Sequence, residues 1–187
     1  LVSHNATAKE YVVVNCPTAG GLKEAIAAAK LDYTKVTNLK ITGEINASDF
    51  NFMRNSMKAL EALNLKEVTI GETVNARKDE IPGGAMQNTK LNYLVLPDRL
   101  KGILSGAFWD CKYLVGSLVI PEGVEVIEEG AFYACSSLDG TLTLPSTLKE
   151  IGGIAFSDCS SLTGNLTLPE KLEKIGGGAF DKCKGFY

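Results

Sequence analysis

Apolar residues recur in this chain at a fixed long spacing, and from Leu94 onward the spacing is 24 residues without a slip. Leu94, Leu118, Leu142 and Leu166 form one column, and Pro97, Pro121, Pro145 and Pro169 form a second. Ala107, Ala131, Ala155 and Ala179 each precede a phenylalanine, Phe108, Phe132, Phe156 and Phe180, and Cys111, Cys135, Cys159 and Cys183 follow three places later. Self-similarity at a period of 20 to 50 residues marks a solenoid, in which no unit can bury its apolar face alone and stacked neighbours share one continuous core. Within each unit the Leu-x-Leu alternation predicts a short strand, and the proline after it ends inter-coil pairing at the same point in every coil. The pairs Gly152-Gly153 and Gly176-Gly177 predict a tight corner where a larger side chain would crowd the next coil. A recurrent glycine at Gly116, Gly140 and Gly164 predicts a bulge entering the strand.

The pattern extends backwards with less regularity. Val36-x-x-Leu39-x-Ile41, Leu60-x-x-Leu63-x-Leu65 and Leu91-x-x-Leu94-x-Leu96 each read as a coil strand, and the polar stretch Gly71 to Glu80 reads as a protruding loop. Phe50, Met53, Met57 and Leu60 follow Ser48 at helical spacing, which predicts an amphipathic helix with Ser48 as its N-cap. Ahead of these, Tyr11 to Asn15 reads as a strand and the Ala-rich Leu22 to Leu31 as a helix. A terminal coil needs such a cap to cover its apolar edge and unpaired strand. The expected organisation is therefore a tail and cap over residues 1–35 and a solenoid over 36–187, folded as one domain. At the other end Phe186 falls on the Leu114, Leu138 and Leu162 column. Either Phe186 and Tyr187 shield the last rungs, or a second copy of the chain closes that edge.

Composition narrows the chemistry. The chain has 187 residues, a hydrophobic fraction of 45% and a net charge of -3, so it carries no basic footprint for phosphate backbones or anionic membranes. No stretch approaches the roughly 20 apolar residues of a membrane span, and Leu1 to Glu10 lacks the basic start and apolar run of a signal peptide. One histidine, His4, leaves no Cys-His or Ser-His pair to build a nucleophilic site, and thiols spaced by 24 do not match zinc-ligand spacing. Stacking brings neighbouring cysteines within the separations a disulfide tolerates, but the flanking Phe and Leu columns favour buried, reduced thiols. The acidic pair Glu128-Glu129 and the run Arg77 to Glu80 read as solvated loop charge. Gly176-Gly177-Gly178 lacks the Lys-Ser/Thr ending of a phosphate loop and repeats as a corner of the coil. The sequons at Asn5, Asn46 and Asn165 are discounted, the last because it falls inside a predicted strand. No enzyme, cofactor or metal is expected.

The columns Pro-x-x-Leu-x-x-Ile-x-x-x-Ala-Phe-x-x-Cys-x-x-Leu resemble the BspA-like leucine-rich repeat family, strongly over Ile81 to Tyr187. Val36 to Ile70, with Leu39-Lys40-Ile41-Thr42-Gly43 and Asn46-Ala47-Ser48-Asp49-Phe50, resembles the leading coils of bacterial members. The resemblance implies an α/β solenoid: a right-handed leucine-rich repeat stack with a parallel sheet on one face. It also implies a cell-surface or secreted protein, its signal peptide removed, that binds host or bacterial surface proteins; adhesion to matrix components and co-aggregation are attributed to some members. The chain departs from the family pattern in two respects: three repeats carry an extra residue with Gly116, Gly140 and Gly164, which the coil holding Leu91 to Leu96 lacks, and the residues after the strand differ. Where an Asn or Cys usually follows the strand it has Arg99, Gly123, Thr147 and Lys171, so the cysteine column comes before the strand and no asparagine ladder ties the turns.

Strand residues between the inward leucines point the other way, which stacks Tyr93, Ser117, Thr141 and Asn165 in one row with Val95, Val119, Thr143 and Thr167 beside it. These eight form the candidate partner-binding strip. Its hydroxyl and amide groups suit hydrogen bonding to a protein or a glycan, and Tyr93 supplies an aromatic anchor. The same residue types are also good strand formers in their own right. A spacer or self-associating scaffold is the alternative to an adhesin.

Overall fold

The computed structural model describes residues 9–187. His4 and Asn5 lie outside them. The chain opens with strand β1 (Val12–Cys16) and helix α1 (Leu22–Ala28), then runs through β2 (Asn38–Ile45), helix α2 (Ala47–Ser56) and β3 (Ala62–Ile70). Two strands per coil follow. On one side lie β5 (Tyr93–Val95), β7 (Leu118–Val119), β9 (Leu142–Thr143) and β11 (Thr163–Gly164). On the other lie β4 (Glu80–Ile81), β6 (Gly102–Ile103), β8 (Val126–Ile127), β10 (Glu150–Ile151) and β12 (Lys174–Ile175), and β13 (Gly185–Phe186) ends the chain.

All ladders between these strands are parallel. The first sheet runs β1-β2-β3-β5, and the Ile-column strands form a second, β4-β6-β8-β10-β12, in which Ile81, Ile103, Ile127, Ile151 and Ile175 stand in file. The expected sheet face is present in pieces: pairing stops between β5 and β7, resumes for β7-β9, and stops again before Asn165.

The interior is the file of columns that stacking requires. Phe108, Phe132 and Phe156 are fully buried, and their rings stack at 5.1 and 5.5 Å with interplanar angles of 11° and 3°; Phe180 continues the file at 5.4 Å. Backbone bonds tie coil to coil at this corner, with the amides of Phe108, Phe132 and Phe156 each donating to the carbonyl of the following coil's alanine at 2.8 Å. The cysteine column supplies the tie that the missing asparagines would have made. Each thiol donates to a carbonyl of the preceding coil: Cys111 to Met86 (3.0 Å), Cys135 to Phe108 (3.3 Å), Cys159 to Phe132 (3.1 Å) and Cys183 to Phe156 (3.0 Å). All five cysteines are free thiols, and burial pushes the pKa of Cys111 up to about 11 and that of Cys183 up to about 12.

The Gly-Gly corner is tight for the expected reason. A Cβ on Gly152 would lie 2.4 Å from the Glu129 nitrogen, and one on Gly176 2.2 Å from the Gly153 nitrogen. Two positions further on, the chain turns left-handed at Gly106, Gly130 and Gly178, but the equivalent residue in the third coil is Ile154 at φ 48°. No register shift occurs at Gly116, Gly140 or Gly164; among the described residues the one irregularity between paired strands lies between Lys40 and Thr42. The first and last of those glycines instead meet a left-handed φ, 84° and 85°, and Gly140 meets a close approach to Ser117.

Three further expectations are corrected. The N-cap of α2 is Asn46, not Ser48: the Asn46 side chain accepts from the Ser48 amide at 2.9 Å, and Asp49 reaches back to the Asn46 amide at 2.9 Å. Asparagine is as good a cap as serine, and the acid three places on completes a capping box that starting at Ser48 would forfeit. Asn165 does not lie inside a strand, because β11 ends at Gly164. Phe186 pairs with Gly164, two residues beyond the position set by the 24-residue spacing, and meets the Phe180 ring edge-on at 6.2 Å.

Asp49 also closes the cap. Its carboxylate, buried at 2% exposure, accepts the amides of Gly20 (2.7 Å) and Leu22 (2.9 Å), so one side chain holds the starts of both helices while Leu22 and Ile26 seal the first coil.

Candidate binding face

The outward side of the β5, β7 and β9 strands carries the candidate strip. Parallel pairing sets Val119 beside Thr143, and Leu118 and Leu142, buried between them, show which way the alternation runs. Tyr93 is 42% exposed and Val119 60%; Ser117, Thr141, Thr143, Asn165 and Thr167 are also exposed, and Val95 is half-buried. Ser117 and Thr141 are linked, the Thr141 amide donating to the Ser117 hydroxyl at 3.0 Å.

The eight residues divide into two neighbourhoods. Tyr93 and Val95 belong to the four-stranded sheet and are joined by Val115, 51% exposed, whose amide donates to the Asn92 carbonyl. With Val119 they make an apolar end, and Lys9 lies 5.2 Å above the Tyr93 ring while donating to Asn92 at 2.6 Å. Thr141, Thr143, Asn165 and Thr167 instead line a groove of about 380 Å³ with Glu122, Ser146 and Pro169. This groove opens where the ladder beyond β9 stops. The Glu122 carboxylate fixes its lower rim by accepting both the Ser146 amide and its hydroxyl at 3.0 Å.

Sequence reasoning missed Glu122, Ser146 and Val115, and it missed that the face continues onto the leading coils. Pairing sets Asn64 beside Val95, Lys40 beside Asn64 and Val13 beside Lys40, so the row runs on across β3, β2 and β1. The signal was available: Lys40 flanks the inward Leu39 and Ile41 as Val119 flanks Leu118 and Ile120.

The other sheet presents a different surface. Its outward and corner residues alternate in sign from coil to coil, with Lys149 on Glu125 at 2.7 Å and Lys174 on Glu150 at 2.5 Å. Lys149 holds the Glu125 carboxyl below its ordinary range and is itself raised by it. Exposed pairs of this kind contribute little and satisfy each other, which describes a solvated face. The remaining acidic candidates act on the backbone: Glu128 accepts from the Ser105 amide at 2.9 Å and Glu80 from the Arg77 amide at 2.8 Å.

A family profile described as the BspA-type leucine-rich repeat region matches residues 26–115 and 79–186, with six copies. The chain belongs to the BspA-type leucine-rich repeat family. Among solved structures it is similar to the Treponema pallidum leucine-rich repeat protein TpLRR, with a TM-score of 0.62 and 21% identity over 95% of this chain and 78% of that one. It is also similar to a leucine-rich repeat protein from Bacteroides ovatus ATCC 8483, with a TM-score of 0.45 and 19% identity over 95% of this chain and 63% of the other. No curated protein matches it. The family match and the likeness to TpLRR agree with the parallel-strand solenoid built above. Among the described residues no helix is long and apolar enough to cross a membrane.

Proposed function

We propose that this chain is a non-enzymatic binding module, working at a bacterial cell surface or after secretion, that holds a protein partner on the outward face of β5, β7, β9 and the segment 165–167. The observation that carries the reading is the uncharged, solvent-facing row from Tyr93 and Val119 to Thr143 and Thr167, which pairs an apolar end with a hydroxyl-lined groove. Interfaces favour this combination of an aromatic anchor and adaptable polar groups over the ion-paired surface on the other sheet. The apolar end favours protein over glycan, because aliphatic Val95, Val115 and Val119 give a sugar few hydrogen-bonding partners.

The test is an array of extracellular-matrix proteins and glycans probed with the wild-type chain and with Tyr93→Ala combined with Thr143→Arg. Capture of a protein by the wild type, lost in the double variant at an unchanged melting temperature, is the expected result. Equal capture by both proteins would remove the face from the account, and capture of glycans alone would replace the partner class.

A further inference from the structure

The aromatic file begins at Phe108, and one coil earlier the same place is held by a methionine. Met86 donates its amide to the Ala107 carbonyl at 2.7 Å, as Phe108 does to Ala131, so Met86 occupies the phenylalanine column. The coil before that has helix α2 in place of the corner. Where helix and corner meet, a cavity of about 300 Å³ lies between the second half of α2 and residues 86–90. The chain has three methionines, and all of them, Met53, Met57 and Met86, line this cavity together with Leu60. Each of the four is buried, so the cavity wall is continuous with the core. Methionine is unbranched and polarisable, which lets such a wall adapt to an apolar guest.

The rim carries the opposite chemistry. Arg54, Lys58 and Lys90 line it, and no carboxylate does. Among the described residues none of these three cations is in an ion pair, although the chain as a whole has a net charge of -3. Arg54 is held in place, its guanidinium donating to the Gly84 carbonyl and, at 2.9 Å, to the Asn51 side chain. Lys58 donates to the Arg54 carbonyl at 2.9 Å, which leaves two of its N–H groups for another acceptor. Lys90 is exposed. A cleft with apolar walls and charges of one sign concentrates ions of the other sign.

We propose that this cavity binds a small organic anion with an apolar body, a medium-chain carboxylate. Its head sits among Arg54, Lys58 and Lys90, and its aliphatic chain lies against Met53, Met57 and Met86. The cations select a negative head, and the methionine wall selects an alkyl tail. Volume selects the size: small-molecule sites span about 300–1,000 Å³, and a cavity at the lower end takes one short chain. The site shares no residue with the strip from Tyr93 to Thr167, so ligand and protein partner can be held independently.

Isotope labelling of the methionine methyl groups gives three NMR signals, all from the cavity wall. Titrating the full chain with octanoate below its micellar range should shift all three to saturation. Octanol, which has the tail without the charge, and acetate, which has the charge without the tail, should each bind at least about tenfold more weakly. Met86→Phe restores the ring of the later coils and fills the cavity, so the Met53 and Met57 signals should no longer respond to octanoate. Lys58→Glu with Lys90→Glu, both at exposed positions, should weaken octanoate binding by about tenfold or more. Circular dichroism establishes that each variant is folded, and the lysine pair serves if Met86→Phe is not. Signals unmoved by octanoate, equal affinity for octanol, or an undiminished octanoate response in the lysine variant would each overturn the proposal.

Discussion

Replacing Phe132 by alanine removes the central rung of the aromatic file. Its ring is fully buried and stacked on both sides, at 5.1 Å from Phe108 and 5.5 Å from Phe156, so its removal breaks two of the three stacks in the file and leaves a gap in the middle of it. A Phe→Ala change at a buried site costs about 3–5 kcal/mol, and loss of two ring contacts of about 0.5–1.5 kcal/mol each puts Phe132→Ala at the upper end. Phe180→Ala removes a partly covered ring with one stacked neighbour and one edge contact. Its cost should be about half, near 2 kcal/mol. Stability in a solenoid is roughly a sum of coil and nearest-neighbour terms, so position along the stack matters as much as the residue type. Urea unfolding followed by far-UV circular dichroism measures both losses. A Phe180→Ala loss equal to that of Phe132→Ala would refute the reasoning, because it would mean that the last coil is as well covered as the middle one.

Asp49→Ala should cost about 3 kcal/mol, since it strips the acceptor from the amides of Gly20, Leu22 and Asn46 at once, and thermal unfolding checks it. Ile154→Asn should raise stability by about 1 kcal/mol, because asparagine tolerates the left-handed conformation that costs a β-branched residue about 1–2 kcal/mol; a lower melting temperature would show that the isoleucine packing outweighs the strain. Alkaline pH should destabilise the fold through the thiols. Cys111 and Cys183 hold their protons up to about 11 and about 12 in the native state, whereas an unfolded chain releases them near 9, so their contribution is complete below pH 9 and falls as pH rises through the native values. Denaturant midpoints that stay level between pH 8 and pH 11 would contradict this.

The parts of the fold legible in the sequence are those where one side chain recurs in one environment. The Phe, Ala and Leu columns could be read because each sits at the same place in every coil, and the outward side of Tyr93, Val119 and Thr143 follows from strand alternation, whereas Asn165 and Thr167 lie beyond the last strand of that series. The Ile-column sheet was not legible: β4, β6, β8, β10 and β12 are two residues long, too short for alternation to register, and only backbone pairing reveals them. The cysteine column was plain while its role was not, since its acceptor is a backbone carbonyl of the preceding coil, which no residue type encodes. The same limit hid the breaks on either side of β7 and β9, and with them the groove at Thr143. The cap of α2 lies two residues before Ser48; Asn46 and Ser48 are comparable caps, and only the contacts of Ser48 and Asp49 with Asn46 decide between them.

Native-state hydrogen exchange tests the stacked-coil arrangement most directly. The amides of Phe108, Phe132 and Phe156, each bonded to the next coil's alanine carbonyl, should exchange slowly, near the rate set by global unfolding, while the Phe180 amide, which has no backbone acceptor among the described residues, exchanges quickly. Fast exchange at Phe132 and Phe156, on the scale of the loop amides around Val74, would contradict coils that share one interior.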